Sequence, residues 1–241
     1  MKVFGIVVRA ELAQQRLGVV MQTMTRYLTQ SGLAERIVDE RQLDRLVSGS
    51  AQRRYSLVNR ALKAGELIRV RRGLYVLADD WRHAPVHPFA LAQRIEPGSY
   101  VSMESALYWH GWIPEAVQTI TSMLPGRKRK DYRHERFGLY TYRPLAIRPG
   151  GFLEQVRRGQ ADGQTFLLAG PLRALLDLVC LKKSEWQGMD WLEQGLRIDR
   201  EVWREVTGAD LRALKEVYQH QRVQHFLHEL ELALGLELGH E

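Results

Sequence analysis

The 241-residue sequence is 45% hydrophobic and 26% charged, with a formal net charge of +7. That apolar fraction supports a folded core and excludes wholesale disorder and collagen-like repeats, while the length suits two ordinary domains. The single cysteine, Cys180, excludes an internal disulfide framework and any Cys-rich zinc or iron–sulfur site.

No apolar run approaches the roughly 18–20 residues of a membrane span. The stretch Val3 to Val8 is also shorter than a signal-peptide core of about 7–15 residues. The expectation is a soluble, cytoplasmic protein with no membrane partner. Its charge is uneven: residues 1–84 carry 15 basic and 8 acidic side chains, residues 85–150 carry 9 and 5, and residues 151–241 carry 11 and 15. A basic front and a mildly acidic rear suggest that the front meets a polyanion.

The first twenty residues show no clear period, so both Met1 and Met21 qualify as starts. From Met21, apolar Met21, Met24, Tyr27 and Leu28 recur at helical spacing, and Gly32 follows as a stop. After a short extended stretch at Arg36-Ile37-Val38, Asp39 and Gln42 form a capping-box pattern opening a helix that buries Leu43, Leu46 and Val47. Ser48-Gly49-Ser50 is a short turn. Ser50 then caps a helix from about Ala51 to Ala64, closed by Gly65. Leu67 to Val70 and Leu74 to Leu77 read as strands around Arg71-Arg72-Gly73. This order predicts a winged helix-turn-helix over residues 21–80, followed by a linker at Ala78 to Pro88.

Beyond it, Phe89 to Ile95 and the segment after Ser102 through His110 read as helices, with Ser102 as a cap. Thr119 to Leu124 and Phe137 to Tyr142 read as strands flanking a basic loop, and Thr165 to Leu168 as another. A helix starts at Pro171, and Asp190 to about Leu234 is helical with breaks near Asp199 and Gly208. The fold class is therefore α+β, with a mixed α+β C-terminal domain over residues 85–241.

The helix at 51–64 carries the functional argument. At about 100° per residue, Tyr55, Val58, Ala61 and Leu62 fall within one apolar arc. Gln52, Arg53, Ser56, Asn59, Arg60 and Lys63 lie opposite. Gln52, Arg53 and Ser56, near the N-terminal end, are the candidates for base edges, and Arg60 and Lys63 for phosphates. Arg54 falls on the flank, where its stem packs first. Arg69, Arg71 and Arg72 supply the hairpin contact. With no aromatic on the polar face, duplex DNA is expected rather than RNA.

The loop Arg127-Lys128-Arg129-Lys130, with Arg133, His134 and Arg136 behind it, is a candidate second phosphate or partner contact; a plain solvated loop, balanced by the acidic tail, remains equally open. Catalysis finds no support. His225 and His228 lack a third metal ligand, no lysine follows an acidic residue by two positions, and no phosphate-cradling glycine loop is present. Ser102, Glu104 and His110 are the residue types of nucleophilic chemistry, but Ser102 is better explained as a cap and His110 as a helix-end cation. No catalytic residue, metal or cofactor is assigned.

The passage Leu62 to Val76 (LKAGELIRVRRGLYV) resembles the helix-to-wing region of AbiEi-type antitoxins, the regulatory half of type IV toxin–antitoxin pairs. Tyr100 to Leu107 (YVSMESAL) with His110-Gly111 is similar to the opening of that family's C-terminal domain, and Ala169 to Asp177 (AGPLRALLD) to its later helix start. The resemblance implies an autorepressor binding inverted repeats in its own promoter. It further implies a C-terminal domain needed for antitoxicity and a co-transcribed nucleotidyltransferase-like toxin, neutralised with or without a stable complex. The alternative is a winged-helix regulator whose second domain senses a partner or effector, with no toxin; a third is an enzyme acting on nucleic acid.

Overall fold

The computed structural model describes residues 23–236, which divide into two compact units after Pro85. The proposed start at Met21, and the helical contribution of Met21, lie outside the described residues. The chain is mixed α+β throughout.

In the first unit, α1 (Met24–Gln30) is capped by Thr23, whose hydroxyl accepts from the Arg26 amide. Strand β1 (Val38–Asp39) leads into α2 (Glu40–Leu46), where the expected capping box forms: the Asp39 carboxylate accepts from the Gln42 amide, and the Gln42 side chain from the Asp39 amide, both at 2.9 Å. Helix α3 (Ala51–Lys63) starts on Ser50, whose hydroxyl accepts from the Arg53 amide at 3.2 Å. It ends where Gly65, at φ +71°, allows Glu66 N–H to reach back to the Ala61 carbonyl at 3.0 Å. Strands β2 (Leu67–Arg71) and β3 (Leu74–Leu77) form an antiparallel hairpin, and β1 pairs with β3, giving the order β1-β3-β2. Met24, Leu28, Val38, Leu43, Leu57, Val58 and Leu77 close the core between helices and sheet.

The expected linker is a correction. Asp79–Trp81 forms a 3₁₀ turn, and the buried Arg82 donates to the carbonyls of Ala84 and Glu35, each at 3.1 Å. The Glu35 carboxylate accepts from the amides of His83 (2.8 Å) and Ala84 (3.2 Å). Residues 79–84 are thus folded onto the first unit, because a guanidinium with this many carbonyl partners satisfies backbone that a free linker would leave to water.

The second unit is built on a six-stranded mixed sheet of order β6-β7-β5-β4-β9-β8. Its strands are β4 (Tyr100–Val101), β5 (Thr119–Leu124), β6 (Lys130–His134), β7 (Gly138–Pro144), β8 (Val156–Ala161) and β9 (Gln164–Ala169). The β4/β9 and β5/β7 pairs are parallel and the rest antiparallel. Helix α4 (Pro88–Ile95) packs on one face, where Tyr142 donates to the Ala92 carbonyl at 2.8 Å. Helices α5 (Met103–Trp109) and α6 (Pro171–Lys182) lie on the other face, and α7 (Gly208–Lys215) and α8 (Gln221–Ala233) complete the unit. Three strands were not expected from the sequence. β4 is only two residues long, and β6 is so rich in charge, and β8 so exposed, that neither shows apolar alternation. The breaks expected near Asp199 and Gly208 are present: residues 197–199 precede a 3₁₀ helix at Arg200–Glu205, and Val206 and Thr207 separate it from α7, which the Thr207–Asp210 capping box opens.

Candidate nucleic-acid interface

Helix α3 buries Leu57, Val58 and Ala61 against the first unit's core. Leu57 and Tyr55 lie about 160° apart around a helix axis, so both cannot face inward. The larger aromatic is the one that turns out: Tyr55 is 63% exposed. This corrects the expected arc, and with it the expectation that the polar face carries no aromatic. The signal was Leu57 itself, whose inclusion rotates the apolar arc away from Tyr55.

The outward face runs Gln52, Tyr55, Ser56, Asn59 and Lys63, with Arg60 at its border. Gln52, Arg60 and Lys63 are exposed, Ser56 and Asn59 partly so. Among the described residues, these polar side chains form no hydrogen bond or ion pair, so their donors are committed to nothing else. Arg53 sits on the flank, with its guanidinium 3.4 Å from the Tyr27 hydroxyl of α1. Arg54 pairs with Asp44 at 2.5 Å and donates to the Gly49 carbonyl at 3.3 Å, tying α3 to α2 and to the turn between them.

The hairpin adds three exposed arginines, Arg69 and Arg71 on β2 and Arg72 on the two-residue tip Arg72-Gly73. Gly73 has φ +76°, and a Cβ there would stand 3.1 Å from the Glu40 side chain. Its carbonyl accepts from the Glu40 amide at 3.2 Å. The tip is therefore held on the start of α2, and glycine is required by both the turn and the close approach.

In the second unit, the passages around Tyr100 and Arg173 meet in one buried network. Arg173 and Asp177, both 0% exposed, pair at 2.9 Å. Asp177 also accepts from Tyr100 (2.9 Å), Ser102 (2.6 Å) and Tyr218 (2.6 Å). Arg173 further donates to the carbonyls of Gly151 and Glu154. Burial and the Asp177 charge hold the Tyr100 and Tyr218 phenols well above their ordinary pKa.

Ser102 is thus not the side-chain cap expected; its hydroxyl is spent on Asp177. His110 is corrected too. It lies at the end of α5, but burial lowers its pKa, and the neutral ring donates from Nε2 to the Ala169 carbonyl at 2.9 Å. Glu104 pairs with Lys182 at 2.5 Å. Ser102, Glu104 and His110 therefore engage three different partners and form no catalytic relay. His225 faces Glu229 at 3.7 Å, and the described residues hold no group of three metal-ligating side chains.

Arg127, Lys128 and Arg129 are exposed in the β5–β6 loop, as expected. Lys130 belongs instead to β6, with its ammonium 2.6 Å from Glu96. A groove of about 630 Å³ lies between α5, α6 and the β5/β7 part of the sheet, lined by Leu107, Thr121, Thr141, Arg143 and Lys182 among others. No described helix is long and apolar enough to cross a membrane. No protein-family model and no curated protein matches the chain.

Proposed function

We propose that the first unit is a winged helix-turn-helix that binds duplex promoter DNA, and that the chain is an autorepressor acting as the antitoxin of a type IV toxin–antitoxin pair. The single observation that carries the DNA-binding part is α3, which keeps an uncommitted polar face while the opposite side is anchored in the core. A helix of 13 residues fits a major groove about 12 Å wide. In that pose Gln52, Tyr55, Ser56 and Asn59 face base edges, and Arg60 and Lys63 face phosphates. Gln52 and Asn59 suit the N6/N7 edge of adenine, and the Tyr55 ring offers apolar contact to a thymine methyl. The strand order β1-β3-β2 supports the wing assignment. Because its tip is only two residues long and fastened to Glu40, Arg71 and Arg72 meet backbone phosphates rather than entering the minor groove.

The antitoxin part rests on the resemblance to AbiEi-type antitoxins, with a nucleotidyltransferase-like toxin as partner and the cytoplasm as the site of action. No catalytic residue, cofactor or metal belongs to this reading. A second reading, a regulator that senses a small effector and has no toxin, is favoured by the 630 Å³ groove in the second unit. Two experiments decide between them. The purified chain should retard a fragment of its own promoter, and co-expression should rescue cells from the product of the neighbouring gene. Failure to shift the promoter overturns the DNA reading, and failure to rescue leaves the regulator without a toxin.

A further inference from the structure

Part of the second unit's surface charge is paired locally. Arg143 is matched with Asp131, Arg148 with Glu216, Lys182 with Glu104, Arg197 with Glu115 and Lys215 with Glu231. Among the described residues no carboxylate pairs with Arg127, Lys128, Arg129 or Arg133, and all four are exposed; Arg157 and Arg158 on β8 are exposed and unpaired as well, but no ring lies beside them on that strand. Of the described acidic side chains towards the C-terminus, Glu216 and Glu231 are engaged elsewhere and Glu229 faces His225. Arg127, Lys128 and Arg129 sit on the loop leading into β6, an edge strand of the sheet, and Arg133 lies on the strand itself.

β6 also carries rings. Lys130, Tyr132 and His134 alternate onto one face of the strand. The Tyr132 and His134 rings lie 6.5 Å apart at 30°, and His134 and Phe137 lie 4.8 Å apart at 32°. All three rings are half-buried, so each keeps surface towards solvent. A row of neighbouring rings, with exposed cations on the loop at one end, combines the two elements that hold an unpaired nucleic-acid strand, π-faces for bases and cations for phosphates, while Arg133 alternates onto the opposite face of the strand. Among the described residues this edge presents a strand and a loop rather than a helix, so it lacks the shape that enters a duplex major groove. Cations on an edge strand also discourage strand-to-strand aggregation, but that role needs no aromatic row.

We propose that the β6 edge is a binding site for single-stranded nucleic acid, separate from α3 and independent of the operator reading. The probes are fluorescent single strands of about 16 nucleotides, U-rich RNA and T-rich DNA, with an unrelated duplex as the third, all titrated with the full chain between about 50 and 200 mM salt. The two single strands show whether the ribose hydroxyl adds to the contact. The triple variant Arg127→Gln/Lys128→Gln/Arg129→Gln should weaken strand binding about tenfold and lower its salt slope by about two. Tyr132→Leu, which keeps an apolar side chain against Tyr140, should weaken it about fivefold at unchanged slope. Arg60→Ala/Lys63→Ala on α3 should leave strand binding intact while weakening the duplex. Wild-type affinity in the triple variant overturns the proposal. So does a loss confined to the triple variant, which marks a surface for any polyanion, or a loss caused by the α3 pair, which puts the site in the first unit.

Discussion

Asp44 and Arg54 meet across the turn between α2 and α3, with Arg54 Nε 2.5 Å from the Asp44 carboxylate. The same guanidinium donates to the carbonyl of Gly49, so one side chain ties α3 both to α2 and to the turn between them. The Asp44 side chain is more than half exposed, and an exposed pair contributes under about 1 kcal/mol to stability. Asp44→Ala should therefore leave the melting temperature nearly unchanged while weakening promoter binding several-fold. Melting and gel retardation on the same preparation check this, and equal affinity in the variant would show that α3 holds its angle without the pair.

Arg173 and Asp177 are a different case, because neither reaches solvent. Asp177→Ala leaves a buried guanidinium without its counter-charge and three hydroxyls without their acceptor, which should cost about 3–5 kcal/mol. Tyr218→Phe removes one hydrogen bond to a charged group and should cost about 1.5–3 kcal/mol. Urea denaturation measures both. The network joins β4, α6 and the Gly151–Glu154 turn, so its loss should be felt across the second unit rather than at one helix.

The two network passages were singled out in the sequence without their role being evident there. Tyr100, Ser102, Arg173 and Asp177 are ordinary polar residues until the sheet brings residues 73 to 77 positions apart into contact. Local signals were legible wherever the chemistry is local: the Asp39–Gln42 box, the Ser50 cap, the Gly65 stop and the limits of β3 and β5 all follow from neighbours in the chain. Signals failed where a distant partner decides. Tyr55 is apolar by composition, yet Leu57 takes the core position. His110 meets the carbonyl of Ala169, 59 residues away, and β6 forms a strand through β7 despite its charged sequence.

Two histidines in the second unit give its stability a defined pH dependence. Burial lowers the pKa of both His87 and His110 from the ordinary 6.5. The unfolded chain then binds protons more readily than the folded one. Their contribution is complete above about pH 6.5 and declines as the pH falls below it. Glu35 in the first unit acts lower. Burial opposes its ionisation, but the amides of His83 and Ala84 and the Arg82 charge outweigh it, so its carboxyl is held below 4.5 and its contribution is lost only as the pH falls through that value. Acid should thus weaken the second unit first. In His110→Gln, whose amide can still donate to Ala169, the loss between pH 7 and pH 5 should be smaller, as read by denaturation followed through the tryptophans. An unchanged pH slope would show that the ring titrates normally.

The face of α3 makes the most discriminating prediction, because its residues should fail in different ways. Gln52, Tyr55 and Asn59 offer shape and directed hydrogen bonds, so Gln52→Ala or Asn59→Ala should relax preference at one base pair, losing about 1–3 kcal/mol against the best sequence and little against others. Tyr55→Ala should do the same wherever a thymine methyl is contacted, and its exposure means the fold should tolerate the change. Lys63→Ala and Arg60→Ala should instead weaken all duplexes alike, each lowering the salt slope by about 0.9 for the one phosphate released. Arg53 lies between these groups: its guanidinium rests near Tyr27, so Arg53→Ala separates a role in seating α1 from one in the groove. Binding measured against a randomised duplex library at two salt concentrations distinguishes all of these outcomes. Variants at Gln52, Tyr55 and Lys63 that select the same sequences with the same slope as the parent would place the DNA contact elsewhere on the first unit.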